Sequence, residues 1–138
     1  MPPPRFSVII PARNEERFIS PCLESIRVAA TTYPDQLEVI VVLNRCSDRT
    51  EEIAHAFGAR TIREDARNLA RIRNAGARAA VGWILVTIDA DSRMSPGALV
   101  AIDRALSSGT TVGGGTVIHP DRSSLGIQVT LLFFTLGV

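Results

Sequence analysis

Four short apolar runs, each stopped by polar residues and each followed by a helical stripe, constrain this chain more than any other feature. Phe6-Ser-Val-Ile-Ile10 is β-branched and continuous, and Pro11 is expected to stop it. Leu37–Leu43, Ala59–Arg63 and Trp83–Ile88 read as three more strands. Runs without apolar–polar alternation belong to strands covered on both faces. Between them, apolar residues recur at helical spacing. Phe18, Ile19, Cys22, Leu23 and Ile26 form one stripe, with Ser20 a candidate cap and Pro21 in the first turn. Ser47-Asp48 opens a second helix that ends at Phe57-Gly58. Leu69, Ile72, Gly76 and Ala79 or Ala80 mark the inner face of a third, and Ser95-Pro96 opens a fourth that runs to about Leu106. Thr111–Ile118 is β-prone but interrupted by Gly113–Gly115. Strand and helix in alternation predict an α/β fold: an open, mainly parallel sheet flanked by helices. Ligands of such sheets bind outside the carboxyl ends of the strands.

Composition narrows the classes further. The chain has 138 residues, 46% of them hydrophobic and 21% charged, enough apolar surface for the core of one domain over 1–138. That excludes a disordered chain. Fifteen basic residues against 14 acidic ones leave a formal charge of +1, so no bulk field points to nucleic acid. All of the basic residues are arginine, whose planar forks suit phosphate. Two cysteines make neither a disulfide framework nor a metal cluster, which predicts a reducing, cytoplasmic setting. The N-terminus has no apolar leader. The apolar tail 125–138, LGIQVTLLFFTLGV, falls short of the roughly 18–20 residues that span a bilayer. It is expected to be buried, in a homodimer, or else to begin a segment peripheral to the inner face of a membrane.

Polar residues gather where strands end: Pro11-Ala-Arg-Asn-Glu-Glu16, then Asn44-Arg-Cys-Ser-Asp48, then Asp89-Ala-Asp91. The core has no use for them there. In an extended segment residues i and i+2 point the same way, so Asp89 and Asp91 would face one point. Two such carboxylates suit a hard divalent ion, Mg²⁺ or Mn²⁺, that completes its shell with substrate phosphates. The alternative is a local turn made by Asp91 or Ser92. Arg63, Arg67 and Arg71 share a helix face if that helix begins early; Arg73, beside Asn74 and close to Gly76, is the candidate for a diphosphate. Glu15 and Glu16 also suit a helix N-terminus, and Asp48 a helix cap. Cys46 reads as a small structural residue, His55 as structural or exposed, and His119 as a remote candidate for a third metal ligand.

The ordered segments SVIIPARNEERFISPCLESI, EVIVVLNRCSDRTEEIA and ARIRNAGARAAVGWILVTIDADS resemble the family 2 glycosyltransferases, which have the GT-A fold. The resemblance implies a Rossmann-like nucleotide-sugar domain without the C-terminal acceptor part. It places Pro11, Ala12, Arg13, Asn14 and Glu15 along the nucleotide pocket, with Asn44 and Asp48 in a second contacting loop. Arg73 and Asn74 would flank the diphosphate sugar. Asp89, Ala90 and Asp91 match the family's metal- and ribose-binding motif, Asp91 being the direct ligand, and Gly113–Gly115 match the glycine-rich strand below the acceptor site. The implied activity is inverting, metal-dependent transfer of a sugar from a nucleotide-diphosphate donor to an acceptor hydroxyl, a lipid-linked acceptor being one reading. Two departures stand out. Leu43 occupies a position where the family commonly has an aspartate that reads uracil, which leaves Asn44, or a guanine donor, as the expectation. No catalytic base is assigned either, since the last acidic residue is Asp121. Other readings of the residues are a nucleotide-sugar-binding module without transfer, a nucleotidyltransferase, or a Toprim-like domain.

Overall fold

A computed structural model describes residues 2–117, 119 and 121. The expectations for the tail 125–138, and for Ile118 at the end of the last candidate strand, lie outside the described residues. The chain divides into two compact units, Met1–Ala105 and Leu106–Val138. In the first, the elements run β1 (Phe6–Ala12), α1 (Ile19–Ala29), β2 (Leu37–Leu43), α2 (Thr50–Ala56), β3 (Arg60–Arg63), α3 (Leu69–Ala79) and β4 (Ile84–Thr87); α4 (Ala98–Ser107) follows, its last two residues counted in the second unit. The strands form one parallel sheet in the order β3-β2-β1-β4. In the second unit, residues 111–117 form no strand and are exposed, three of them being Gly113–Gly115. A segment so rich in glycine has little side chain with which to hold a ladder.

Helices cover both faces of the sheet. Phe6, Val8, Ile10, Val41 and Leu43 are buried on one face. Leu23 and Ile26 of α1 reach that face beside Leu37 and Val39, around a hollow of about 80 Å³. On the other face Ile9, Ile40 and Val42 pack against Ile72 of α3. Gly76 makes that contact possible, because a β-carbon there would collide with Ile9 and stand 3.0 Å from Val42.

Several boundaries differ from expectation for physical reasons. Pro11 does not stop β1. It pairs with Val42, one residue before the strand ends at Ala12. The Ile9 carbonyl accepts from Ile88 and the Ala12 carbonyl from Asn44, so Pro11 faces the β4 side, beyond the last paired residue, Thr87. Its missing N–H therefore costs no ladder bond. β4 is an edge strand among the described residues, and Trp83 and Leu85 are exposed. Ser20 lies inside α1, whose flanking residue Phe18 is half exposed and makes no side-chain cap. Pro96 precedes α4 in a turn closed by Ala98 N–H donating to the Ser95 carbonyl. Because α3 begins at Leu69, Arg63 belongs to β3 and Arg67 to the loop, and with Arg71 they share no helix face.

At the amino end of the sheet a polar cluster joins β1, β2 and β4. Ser7, fully buried, donates to Glu38 and accepts from the Gly82 N–H at 2.8 Å. Glu38 also accepts from Val81 N–H at 3.0 Å and from Arg60 at 3.1 Å, and Arg60 donates on to the Ala79 carbonyl. A β-carbon on Gly82 would stand 2.6 Å from Ser7 Oγ and 2.7 Å from Ser7 N, so only glycine lets the chain enter β4 this closely.

Candidate functional site

The expected residues do converge at the carboxyl end of the sheet. The loop after β1 and the loop after β2 are bound to each other. Asn14, at φ 52°, turns its side-chain oxygen to the Ser47 N–H at 2.7 Å. Glu16 N–H donates to Asp48 at 3.0 Å, and Glu16 in return accepts from Arg49 N–H at 3.1 Å. Thr50, fully buried, accepts from Glu15 N–H at 2.8 Å and donates to Asp48 Oδ1 at 2.6 Å. Asp48 also accepts from Thr50 N–H, the capping bond expected of it. Burial pushes the Asp48 carboxyl up, but bonds from the Thr50 hydroxyl and from the Glu16 and Thr50 amides outweigh it and hold the group below its ordinary value.

Asn44 is almost wholly buried and already committed. Its Nδ2 donates to the Glu64 and Ala66 carbonyls at 2.6 and 2.8 Å, and its Oδ1 accepts from Arg45, which stands at φ 53°. It holds the loop between β3 and α3 and offers no free amide to a base. Leu43 is buried in the core. Cys46 donates to the Ala12 carbonyl at 3.3 Å, a structural contact, and His55 lies 2.9 Å from Thr61.

Asp89 and Asp91 sit on a turn, not on an extended segment: Ser92 N–H closes it on the Asp89 carbonyl at 3.0 Å. The geometry expected from strand alternation is therefore replaced by that of a turn, with Ala90 buried between the two acids. Both charges still converge on α1 and on the β1 loop. Glu15 is raised above the ordinary carboxylate range by burial and then by Asp91, Asp48 and Asp89. The Cys22 thiol, which donates to the Asp89 carbonyl at 3.7 Å, is pushed up to about 12 by burial and by the same two aspartates. Arg73 answers part of this field, donating to Asp89 Oδ1 at 2.8 Å. Its Nε is buried without a partner among the described residues. Beside it a hollow of about 150 Å³ opens between α3 and β4, lined by Arg73, Asn74, Ile9, Ala77 and Thr87 among others.

This donor set suits a hard cation bound through phosphate. Four carboxylates share one field, and one of them, Glu15, is raised by burial and then by the other three. No group of three or more metal-ligating side chains occurs among the described residues. Of the pair, Asp91 is free of the arginine that occupies Asp89.

The model of glycosyl transferase family 2 matches residues 7–131. The chain belongs to that family. Among its relatives, the Haloferax volcanii glycosyltransferase AglE is 37% identical over 95 residues, which cover 64% of this chain and 31% of AglE. The Pyrobaculum calidifontis mannosyltransferase PcManGT, solved in complex with GDP-Man and Mn²⁺, is 30% identical with a TM-score of 0.62, over 72% of this chain and 31% of that one. Staphylococcus aureus TarS 1-349, solved with UDP-GlcNAc, is 22% identical with a TM-score of 0.68, over 83% of this chain and 37% of that one, a likeness of fold alone. The parallel sheet with helices on both faces is thus the GT-A fold expected from the motifs, covering the N-terminal part of larger glycosyltransferases. The chain spans 27–31% of the length of the curated relatives it matches. Among the described residues no helix is long and apolar enough to cross a membrane.

Thr50, Ser7 and Glu38 escaped the sequence reading as residues that organise the fold. The motif S-D-x-T contains Thr50, and a lone serine inside an apolar strand was the available signal for Ser7.

Proposed function

We propose that this chain is the donor-binding part of a glycosyltransferase that moves a sugar from a nucleotide diphosphate to an acceptor hydroxyl with inversion. The observation that carries the reading is the acidic rim at the carboxyl end of the sheet: Glu15 is raised by burial first and then by Asp91, Asp48 and Asp89, while Arg73 pairs with Asp89 and leaves Asp91 exposed. A divalent ion, Mn²⁺ or Mg²⁺, fits there, with Asp91 as its ligand and Asp89 beside it. When bound, it would stabilise the charge that builds on the departing diphosphate. PcManGT binds Mn²⁺ together with a nucleotide sugar, which supports the same use here.

The residues of the chain then take distinct tasks. Pro11, Ala12, Arg13 and Glu15 form the wall for base and ribose, with Asn14 and Asp48 holding that wall in place. Arg73, while paired with Asp89 through Nη2, offers its remaining exposed guanidinium N–H groups to diphosphate oxygens, and Asn74 stands beside it. Leu43 and Asn44 read no base directly, since one is core and the other is fully bonded. Transfer also requires a general base at the acceptor hydroxyl, a role we assign to no described residue. Two free thiols and a nucleotide-sugar donor support a cytoplasmic setting, and a homodimer through the 125–138 tail remains part of the proposal.

The test is turnover. Incubation with GDP-mannose or UDP-GlcNAc and Mn²⁺ is expected to release the nucleoside diphosphate, by transfer or by slow hydrolysis, and chelation is expected to stop it. Tight nucleotide-sugar binding without any release would make the chain a binding module instead.

A further inference from the structure

Thr50 was singled out by no motif-based role, yet it stands where the two rim loops meet. Its hydroxyl proton points to Asp48 Oδ1 at 2.6 Å, so its lone pairs are what remain for the Glu15 N–H at 2.8 Å. The result is a directed chain, Glu15 N–H to Thr50 O–H to the Asp48 carboxylate, in which each bond polarises the next. Thr50 is fully buried, and no water is needed to complete the chain. The other bonds that cross between the loops flank it: Ser47 to Asn14, Glu16 to Asp48 and Arg49 to Glu16.

We propose that the Thr50 hydroxyl is a positioning group for the donor site: it sets the backbone at Glu15 and thereby the wall against which the nucleotide lies. Thr50 touches no substrate in this account and acts only through Glu15 and Asp48. The inference rests on the functional reading above, and its consequence for binding is specific to the hydroxyl rather than to the side-chain volume. A valine keeps the shape and removes both hydrogen bonds. A serine keeps both bonds and removes only a methyl group.

The experiment compares Thr50→Val and Thr50→Ser with the unaltered chain by two readouts. One is hydrogen exchange at the Glu15 amide, followed by NMR without nucleotide. The other is calorimetric binding of GDP and UDP in Mn²⁺. Thr50→Val is expected to lose most of the Glu15 protection and to weaken binding about tenfold, while Thr50→Ser stays within about twofold on both. The reverse order, with valine tolerated and serine impaired, would mean that Thr50 only packs, and would overturn the inference. If the unaltered chain binds neither nucleotide, the functional reading fails, and the exchange data alone then decide whether Thr50 sets Glu15. Should Thr50→Val fail to fold, Asp48→Asn weakens the acceptor at the end of the chain with Thr50 in place. It is expected to reduce Glu15 protection, and unchanged protection would count against the relay.

Discussion

The two ends of the parallel sheet carry polar relays of the same design. At the amino end the Gly82 N–H donates to Ser7, whose hydroxyl donates to Glu38. At the carboxyl end the Glu15 N–H donates to Thr50, whose hydroxyl donates to Asp48. Their electrostatic settings are opposite. Glu38 ends on Arg60, which is itself tied to the Ala79 carbonyl, so the amino end is neutralised. Asp48 is one of three aspartates, with Asp89 and Asp91, that add to burial in raising Glu15, and Arg73 pairs with Asp89 alone. Two rim residues other than glycine, Asn14 and Arg45, also stand at positive φ. One relay closes a structure. The other holds like charges together at a cost that a cation would offset.

That contrast breaks most visibly at the amino end. Gly82→Ala forces a β-carbon against the Ser7 backbone, and a loss of about 3 kcal/mol or more is expected in urea denaturation. Glu38→Ala strands the Ser7 hydroxyl and the Val81 N–H, with an expected loss of about 2 kcal/mol. At the carboxyl end the ranking inverts. Asp91→Ala removes an exposed charge and is expected to shift stability by less than about 0.5 kcal/mol while abolishing metal-dependent nucleotide binding. A fall in stability comparable to that of Glu38→Ala would show that the rim is structural after all.

The pH dependence sharpens the same contrast. Asp48 is lowered in the folded chain, so its contribution is present above the ordinary aspartate value and is lost as pH falls through the depressed one. Glu15 is raised, so the folded state is favoured below the ordinary glutamate value and loses that advantage as pH rises through the raised one. NMR titration of Glu15 is expected to show its midpoint falling in Asp91→Ala, because one of the charges that raises it is gone. An unmoved midpoint would remove Asp91 from the causes and leave burial, Asp48 and Asp89.

The fold was largely legible because it is written in apolar runs. β2 spans the same residues in sequence and structure, Leu37–Leu43, and the glycine at position 58 ends α2 at φ 76°, as a helix terminator should. What was not legible depends on neighbours. Whether Pro11 could stay in β1 turned on which strand its missing N–H faced. Ser7 and Glu38 look solvent-facing on polarity alone, yet they are paired across β1 and β2, and Gly82 lets the entry to β4 close over Ser7. At the candidate site, residue order put polar loops at the strand ends, but did not show that Asn44 is consumed by a loop or that Asp89 and Asp91 ride a turn.

Calorimetric titration of GDP and UDP into the unaltered chain, with and without Mn²⁺, bears most directly on the acidic rim. Binding of one nucleoside diphosphate that strengthens at least tenfold with the metal, and that does so no longer in Asp91→Ala, is the result this account requires. Binding that is equally tight in the presence of a chelator, or unaffected by the loss of Asp91, would contradict it.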